Sequence, residues 1–252
     1  MTGPLAEVFR DRDVARAYRH RAPYPDETFA ILAELLVEPH TLLDVGSGSG
    51  QLARPMLRFA ARVDAVDPSD AMVEEGRRLP GGDDPRLRWI IGTAETAPLD
   101  PPYGLITAGT SIHWMAPDVV MPRFGSVLAP GGHLAIVEKD DGDFPVAGLL
   151  DVVTRHSELH AAKIDGFPER VAALEATGRF VKEGERRTAP VHLRRSVDEY
   201  LEYLHSTSTL ARTRLGERTA TFDAEIREVF ARRGITVVDQ EVVGLVAWGR
   251  PR

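Results

Sequence analysis

Short apolar segments alternate with helical segments along the first 140 residues. Thr41–Val45 and 63–66 are brief and almost continuously apolar, which is typical of strands buried on both faces of a sheet. Residues with helical spacing separate them from three further strands of the same kind, predicted at 87–91, 105–108 and 133–137. This alternation predicts an α/β fold with a mostly parallel sheet.

The alternation stops after residue 140. Residues 141–215 show helical spacing and no convincing strand, and Ser196 followed by Glu199 forms a capping box that predicts a helix start. Two strands are predicted near the end, at 236–238 and 242–248. They are too close together for a crossover helix, so they are expected to form an antiparallel hairpin.

These patterns divide the chain into two units. Residues 1–140 and 216–252 are expected to form one Rossmann-like domain, in which 1–25 supply an N-terminal lid helix. Residues 141–215 are expected to form a helical insertion between the fifth and sixth strands that covers the substrate.

Composition narrows the classes of partner. The formal net charge of −7 and the pI near 5.7 argue against a nucleic-acid partner. We find no apolar run long enough to cross a membrane and no signal-peptide pattern at the N-terminus, and we expect a cytoplasmic protein without a membrane partner. The chain has no cysteine, so disulfides, thiolate metal sites and a thiol nucleophile are excluded.

A glycine-rich turn follows the first strand, with the sequence DVGSGSG at 44–50. Glycines at a strand-to-helix turn allow a ligand to approach backbone that Cβ atoms would otherwise block. The dinucleotide pattern G-x-G-x-x-G is absent because position 51 is Gln, and no Gly-Lys-Ser/Thr follows to make a P-loop. Asp44, at the end of the strand, suits the ammonium group of a cationic amino-acid ligand.

A second acid, Asp67, ends the second strand. Seventeen residues after Gly50, it is placed where a carboxylate can accept hydrogen bonds from ribose hydroxyls across the crevice of the sheet. A helix cap or a surface aspartate is the alternative interpretation.

Five motifs carry a resemblance to a known family. They are DVGSGSG at 44–50, VDPSDAM at 66–72, GTAE at 92–95, His113-Trp114, and LAPGGHLAI at 128–136. In order and spacing they resemble the class I S-adenosyl-L-methionine-dependent methyltransferases, and most closely the small-molecule branch that includes trans-aconitate methyltransferase. The segment from Tyr18 to Pro25 is similar to that branch, although Ala22 interrupts its usual Arg-Pro pair. The resemblance implies a seven-stranded, mostly parallel Rossmann-like sheet and S-adenosyl-L-methionine as the cofactor.

The resemblance also implies a set of cofactor-binding residues. The glycine loop would line the methionine and ribose portions, Asp44 would support the amino group, and Asp67 would hold the ribose. Pro68 and Met72 would pack on the adenine, whose edge would meet 93–95. The full expected set is Tyr18, Asp44, Gly46, Ser47, Gly48, Gly50, Asp67, Pro68, Met72, Thr93, Ala94, Glu95, Gly109 and Thr110. Many relatives have Asp at position 93 and Gln at position 110, so the chain departs from the family there.

His113 is the candidate catalytic residue. It follows the fourth strand at the carboxyl end of the sheet, and its near-neutral titration suits a general base. A structural role, with the imidazole bonded to backbone, is the alternative. Expected substrate contacts are Tyr24, Trp114, His156, His160, Tyr203 and His205. His156 and His160 are four residues apart on a helical stretch, but no third ligand is evident, so no metal site is predicted.

The sequence therefore predicts transfer of a methyl group from S-adenosyl-L-methionine to an oxygen, nitrogen or carbon atom of a small molecule. S-adenosyl-L-homocysteine is the expected product. Three alternatives keep the same fold: a cofactor-binding protein with cyclase-like chemistry, a small-molecule sensor, and an RNA or protein methyltransferase. The sequence leaves the acceptor, the need for a general base and the oligomeric state open.

Overall fold

The computed structural model describes residues 7–142, 144–157 and 166–252. The strands are β1 Thr41–Val45, β2 Arg62–Asp67, β3 Leu87–Ile91, β4 Tyr103–Gly109, β5 Leu128–Asp140, β6 Phe180–Arg187, β7 Val191–Ser196 and β8 Val237–Pro251. The α-helices are α1 Arg12–Ala17, α2 Asp26–Leu35, α3 Ala53–Met56, α4 Asp70–Arg78, α5 Pro117–Val127, α6 Leu149–His156, α7 Phe167–Ala176, α8 Val197–His205, α9 Arg212–Leu215 and α10 Thr219–Ala231.

One eight-stranded sheet organises the chain, with the order β3-β2-β1-β4-β5-β8-β6, and β7 pairs with β8 away from this path. Strands β3, β2, β1, β4 and β5 are mutually parallel, and β8 runs antiparallel to β5. The predicted α/β fold, with a mostly parallel Rossmann-like sheet and an antiparallel end, is confirmed, but the sheet has eight strands instead of the expected seven because β7 also pairs with β8. The strand order reverses beside β1, between β1 and β4, and this is where open α/β sheets form a ligand crevice.

The predicted hairpin at 236–248 is wrong in detail, because β8 is one uninterrupted strand. Its first part, Val237–Val242, pairs with β7, and its later part pairs with β5 on one edge and β6 on the other. Asp239–Glu241 look like a turn in the sequence but continue the strand. The buried side chain of Gln240 explains why, since it accepts a hydrogen bond from Arg195 of β7.

The predicted all-helical character of 141–215 is also wrong. Phe180–Arg187 and Val191–Ser196 are strands β6 and β7, each antiparallel to β8. Most of their side chains are exposed and many are charged, as in VKEGERR. Edge strands often carry such charges, and these lack the apolar alternation by which a strand is recognised. The sixth strand of the sheet therefore lies inside the segment predicted as an insertion.

Apolar residues cover both faces of the sheet. One cluster includes Phe124 and Ile136 under α5, and the other includes Leu32 and Met56 under α2 and α3. A third cluster lies outside the sheet and joins α6, α8 and α10 around Phe222. In the described part of the chain, no helix has the length and apolar character needed to cross a membrane.

The described part of the N-terminal segment, 7–25, contains less α-helix than its apolar spacing predicts. The α-helix α1 covers only Arg12–Ala17, with Asp11 capping it through the backbone N–H of Asp13 at 2.7 Å. Single 3₁₀ turns at Glu7–Arg10 and Tyr18–His20 flank it. The segment lies against α4, where Ser69 Oγ donates to the carbonyl of Phe9 at 2.6 Å.

A close contact at Gly76 holds α4 against the glycine loop. A Cβ atom there would lie 2.4 Å from Cη2 of Trp89 and 2.9 Å from the backbone oxygen of Ser49. In an exposed helix, Gly→Ala stabilises by about 1 kcal/mol. We expect Gly76→Ala instead to lower the free energy of unfolding by about 1–3 kcal/mol, because the added methyl overpacks the contact. Urea unfolding measures the change, and a more stable variant would contradict this packing argument.

Candidate functional site

Two adjoining cavities open at the carboxyl ends of the parallel strands. The larger has a volume of about 590 Å³ and the smaller about 180 Å³. Their walls share Tyr18, Arg21, Gly46, Gly109 and Thr110. The larger volume falls within the range of roughly 300–1,000 Å³ typical of small-molecule sites.

The glycine loop forms the floor between the cavities. Gly46 and Gly48 have φ of +63° and +54°, a left-handed conformation that favours glycine. A Cβ on Gly46 would lie 2.5 Å from Cβ of Ser111, so the loop and the end of β4 approach as closely as glycine permits. Gly50 differs from expectation. It lines neither cavity, and a Cβ there would lie 2.7 Å from the ring of Trp89.

Asp67 faces the larger cavity from the end of β2. One carboxylate oxygen accepts from the backbone N–H of Gly48 at 2.7 Å, and the other accepts from that of Ser69 at 2.8 Å. Burial raises the pKa of Asp67 to about 6, although both backbone bonds favour the charged form. Each oxygen keeps a free lone pair, so the carboxylate can still accept bonds from ligand hydroxyls.

Four apolar or small residues and one acid, Glu95, continue the wall of the larger cavity beyond Asp67. Pro68, Met72, Thr93, Ala94 and Glu95 all line it, as the resemblance implies for an adenine site. Met72 is buried on α4. Oε1 of Glu95 accepts from the backbone N–H of Ala116 at 3.1 Å. This bond lets Glu95 fix the turn before α5 while the residue still borders the cavity.

Asp44 lies in the smaller cavity together with Ser47. Thr107 Oγ1 donates to Asp44 Oδ1 at 2.8 Å, and the carboxyl is almost fully buried. Burial raises the pKa of Asp44 to about 7. Burial thus favours the protonated carboxyl, and a nearby ligand ammonium would favour its charged form.

Thr110 holds a strained backbone conformation at the wall shared by both cavities. Its φ is +51°, which is unusual for a β-branched residue. Its backbone N–H donates to the carbonyl of Val137 at 2.8 Å, and its hydroxyl lies 3.4 Å from that of Tyr24. Such conformations persist where the surrounding structure enforces them, commonly at ligand sites.

His113 reaches the larger cavity from the turn that follows β4. Its ring packs on Trp114, with the centroids 4.6 Å apart, and Nδ1 lies 3.3 Å from Nη1 of Arg170. Desolvation and the Arg170 charge both lower the pKa of His113 below its usual value. Arg170 is itself held by Glu138, with N···O distances of 2.8 and 3.0 Å. The imidazole is therefore neutral at neutral pH, and its position is fixed by a charged pair.

Several predicted substrate contacts are placed differently. Tyr24 and Tyr203 line the smaller cavity, and Trp114 lines the larger one. His156 and His205 line neither cavity, because both pack against Phe222 in the apolar cluster of α6, α8 and α10. His205 lies 2.9 Å from the carbonyl of Leu210 and 2.8 Å from a carboxylate oxygen of Asp223, which describes a structural bridge. The remaining candidate, His160, lies outside the described residues.

The sequence interpretation missed most of the charged residues at the site. Lys139, at the end of β5, and Asp141 line the smaller cavity. Arg10 and Arg170 line the larger one. Lys139 offered a signal, because it ends an apolar strand at the same edge as Asp44 and Asp67. Arg170 offered none, since it lies on an ordinary amphipathic helix.

The residues present fit S-adenosyl-L-methionine. The larger cavity offers an acid for ribose hydroxyls beside an apolar wall for a purine, and the smaller one offers both acidic and basic groups for an amino-acid end. Over residues 7–142, 144–157 and 166–252, no three His, Asp or Glu side chains cluster as ligands of a metal ion.

Sequence comparison matches this chain to methyltransferases. Residues 42–132 match the family model described as a methyltransferase domain. A trans-aconitate 2-methyltransferase of Variovorax paradoxus is 34% identical over 162 residues, which covers 60% of each chain. The chain spans about half the length of the first curated relatives it matches.

Two solved structures share the fold. A putative type II methyltransferase from Anaeromyxobacter dehalogenans has a TM-score of 0.67 at 24% identity, covering 92% of this chain and 99% of that one. A methyltransferase from Thiobacillus denitrificans, solved with S-adenosyl-L-homocysteine, has a TM-score of 0.50 at 18% identity, covering 92% and 96%. At these identities the likeness supports the fold, and the matched family model supports S-adenosyl-L-methionine as the cofactor.

Proposed function

We propose that this chain, which carries a methyltransferase domain on the class I S-adenosyl-L-methionine-dependent fold, transfers a methyl group to a small-molecule acceptor. The observation that carries the proposal is the larger cavity, where Asp67, the glycine loop and His113 border one space at the sheet edge. Relatives named as trans-aconitate methyltransferases support a small acceptor, as does the acidic net charge.

The chain's main task in this reaction is alignment. Bound S-adenosyl-L-methionine supplies an activated methyl group on a sulfonium. Asp67 and the loop at Gly46 and Gly48 would orient the cofactor, and Thr110 would fix the wall beside its methionine portion. His113 and Trp114 border the rest of the cavity, where the acceptor would lie. Holding two reactants in line and excluding water accounts for much of the rate of such displacements.

Product analysis distinguishes methyl transfer from the two alternative functions, cyclase-like chemistry and small-molecule sensing. Incubation with methyl-labelled S-adenosyl-L-methionine and a panel of small carboxylic acids, phenols and amines should yield S-adenosyl-L-homocysteine and a labelled acceptor in equal amounts. Cofactor consumption without equal amounts of these two products would favour cyclase-like chemistry instead. Stable binding without turnover across the panel would favour a sensor.

The segment after β5 is proposed to cover the acceptor. Arg170 of α7 and the loop residues Thr207 and Ser208 line the larger cavity from that segment, while Phe9 and Arg10 line it from the N-terminal one. Deleting the whole of 141–215 would remove β6 and β7 from the sheet. The proposed contacts between this segment and the acceptor are therefore better tested by single substitutions.

Ser208→Ala tests this cover. A hydroxyl contact with the acceptor contributes about 0.5–1.5 kcal/mol, so we expect the acceptor KM to rise by about 2- to 10-fold. The dissociation constant of S-adenosyl-L-homocysteine should stay unchanged. Ser126→Ala, an exposed serine on α5, is the matched control. Equal acceptor KM values in both variants and the wild type would argue against an acceptor contact at Ser208.

A further inference from the structure

The loop that joins α8 to α9 forms part of the wall of the larger cavity. Thr207 and Ser208 line that cavity, and Ser206 before them is fully buried. The hydroxyl of Ser206 donates to the carbonyl of Tyr203 at 2.6 Å, and that of Thr207 donates to the carbonyl of Leu204 at 2.7 Å. The hydroxyl of Ser208 forms no hydrogen bond with the residues that the structure describes. Of the two hydroxyls on the cavity wall, that of Ser208 therefore has its proton available to a ligand.

Arg21 holds the start of this loop. Its guanidinium donates to Oγ and to the carbonyl of Ser206 at 3.1 and 2.9 Å, and it stacks over Tyr18 with 4.3 Å between Cζ and the ring centroid. Two bonds from one planar group fix a partner in both position and direction. The first residue of the loop is thus tied to the N-terminal segment.

His205, the last residue of α8, holds the other end of the loop. Its side chain is 1% exposed, and Nδ1 lies 2.9 Å from the carbonyl oxygen of Leu210. A carbonyl oxygen only accepts hydrogen bonds, so Nδ1 carries a proton and donates it. This bond joins the two ends of the segment 206–210, and Ser208 lies at its middle.

Two residues of α10 fix the imidazole ring itself. Nε2 lies 2.8 Å from Oδ1 of Asp223, and the ring of Phe222 makes a T-shaped contact with the centroids 5.6 Å apart. The contact with Asp223 needs one more proton, on Nε2 or on the carboxyl, and either placement gives the same bond. Phe222 belongs to the apolar cluster of α6, α8 and α10, so His205 ties the loop to this packed cluster.

We propose that His205 is a positioning residue, which holds the hydroxyl of Ser208 in place for the methyl acceptor through its bond to the carbonyl of Leu210. His205 lines neither cavity, so it acts through the loop and not by touching a ligand. The proposal rests on the proposed function, because it takes the acceptor to lie in the larger cavity beside Ser208. A residue that only packed α8 against α10 would contribute to stability and leave the acceptor KM unchanged.

Two substitutions separate the two bonds of His205. The amide nitrogen of Asn can take the place of Nδ1, so His205→Asn keeps a donor for Leu210, whereas that of Gln reaches the place of Nε2 and keeps a donor for Asp223. We expect His205→Gln to raise the acceptor KM by about 2- to 10-fold, the effect of a lost hydroxyl contact at Ser208, with kcat unchanged. His205→Asn should restore the wild-type KM. The dissociation constant of S-adenosyl-L-homocysteine should stay unchanged in both.

A double variant shows whether His205 acts through Ser208. If it does, His205→Gln combined with Ser208→Ala raises the KM no further than the larger single effect, because both changes remove the same contact. If the two factors multiply, the proposal is wrong. Equal increases of KM in His205→Asn and His205→Gln would also overturn it, since the bond to Leu210 would then not be the cause.

His156→Gln is the matched control. His156 is also buried beside Phe222, with the ring centroids 5.4 Å apart, but its Nε2 lies 3.4 Å from Glu225 of α10 and not beside the loop. We expect this variant to lower the melting temperature, as His205→Gln does, and to leave the acceptor KM unchanged. If His205→Gln does not fold, His205→Leu replaces it, because leucine keeps apolar volume in the cluster and removes the bond to Leu210.

Hydrogen exchange in the segment 206–210 tests the loop without any substrate. The backbone N–H groups of Ser206 and Thr207 donate to carbonyls of α8, so their exchange reports how firmly the loop is held. Exchange should be faster in His205→Gln than in the wild type, and unchanged in His205→Asn and His156→Gln.

The exchange measurement also separates this proposal from the proposed function. A wild-type chain that methylates no acceptor contradicts the proposed function and, with it, the role of Ser208 toward an acceptor. The exchange then still decides whether His205 holds the loop. Equal exchange in His205→Gln and the wild type would overturn the positioning role whatever the activity.

Discussion

The variant His113→Gln should lower kcat by about 100- to 10,000-fold and leave the dissociation constant of S-adenosyl-L-homocysteine unchanged. This is the effect of losing a positioned general base. Among the described residues, His113 supplies the one imidazole on the wall of the larger cavity. Its lowered pKa keeps the ring neutral, and therefore able to accept a proton, at neutral pH.

The contact with Arg170 adds a condition to this role. Arginine can only donate, so Nδ1 of His113 accepts from it, and the proton of the neutral ring lies on Nε2. The ring can take a proton from the acceptor only if Nδ1 is released from this bond. The bond is long, at 3.3 Å, and Glu138 holds Arg170 independently through two shorter contacts. Release therefore need not displace the guanidinium.

A pH series completes the test of His113. Because the folded-state pKa is lowered, the base form persists below pH 6.5, and kcat should fall only as the pH drops through that lowered value. His192→Gln, an exposed histidine on β7, is the matched control. Near-normal kcat in His113→Gln would show that the residue is scaffolding and that the acceptor ionises without help.

The parallel half of the fold was predictable because its signals are local. Thr41–Val45 and the other buried strands must be apolar on both faces, and the glycines at 46 and 48 are required by φ values that other residues adopt only with strain. Asp67 was predictable for the same reason, since its distance from the loop follows from one helix and one strand. These constraints act within about 30 residues, a span that pattern reading covers.

The end of the sheet was not predictable in the same way. Strands β6 and β7 are held by pairing with β8, which lies more than 40 residues further along the chain. Their own residues are polar and exposed, so tertiary pairing decides their conformation over local preference. The interpretation of 141–215 as purely helical failed for this reason.

The side chains at the site show the same limit, because their roles depend on tertiary neighbours that the sequence does not show. His205 has the residue type of a substrate contact, yet it is almost fully buried and bridges Leu210 and Asp223. Lys139 and Arg170, by contrast, reach the cavities from β5 and α7, and their charges are informative only once their neighbours are known. Sequence pattern identifies backbone requirements well, but it does not show which polar groups remain without partners.

The variant Asp67→Ala should weaken binding of S-adenosyl-L-homocysteine by about 10- to 100-fold. Two ribose hydroxyls would lose a charged acceptor, and a hydrogen bond to a charged group contributes about 1.5–3 kcal/mol. The backbone N–H groups of Gly48 and Ser69 would lose their partner as well, which loosens the loop itself. Calorimetry measures the change. Asp70→Ala, an exposed acid three residues away on α4, is the matched control.

The pH dependence of this binding gives an independent check on Asp67. Burial raises its pKa to about 6 in the free protein, and ribose hydroxyls donate to the charged form. The contribution of Asp67 to the affinity should therefore be full above pH 6, and the affinity should fall by up to about tenfold per unit as the pH drops below it, because the carboxylate must first lose its proton. In Asp67→Ala the part of this dependence that is centred near pH 6 should vanish, whereas the part due to Asp44, whose pKa burial raises to about 7, should remain. A variant with wild-type affinity and the same pH profile would remove Asp67 from the ribose site and, with it, the assignment of the larger cavity to the cofactor.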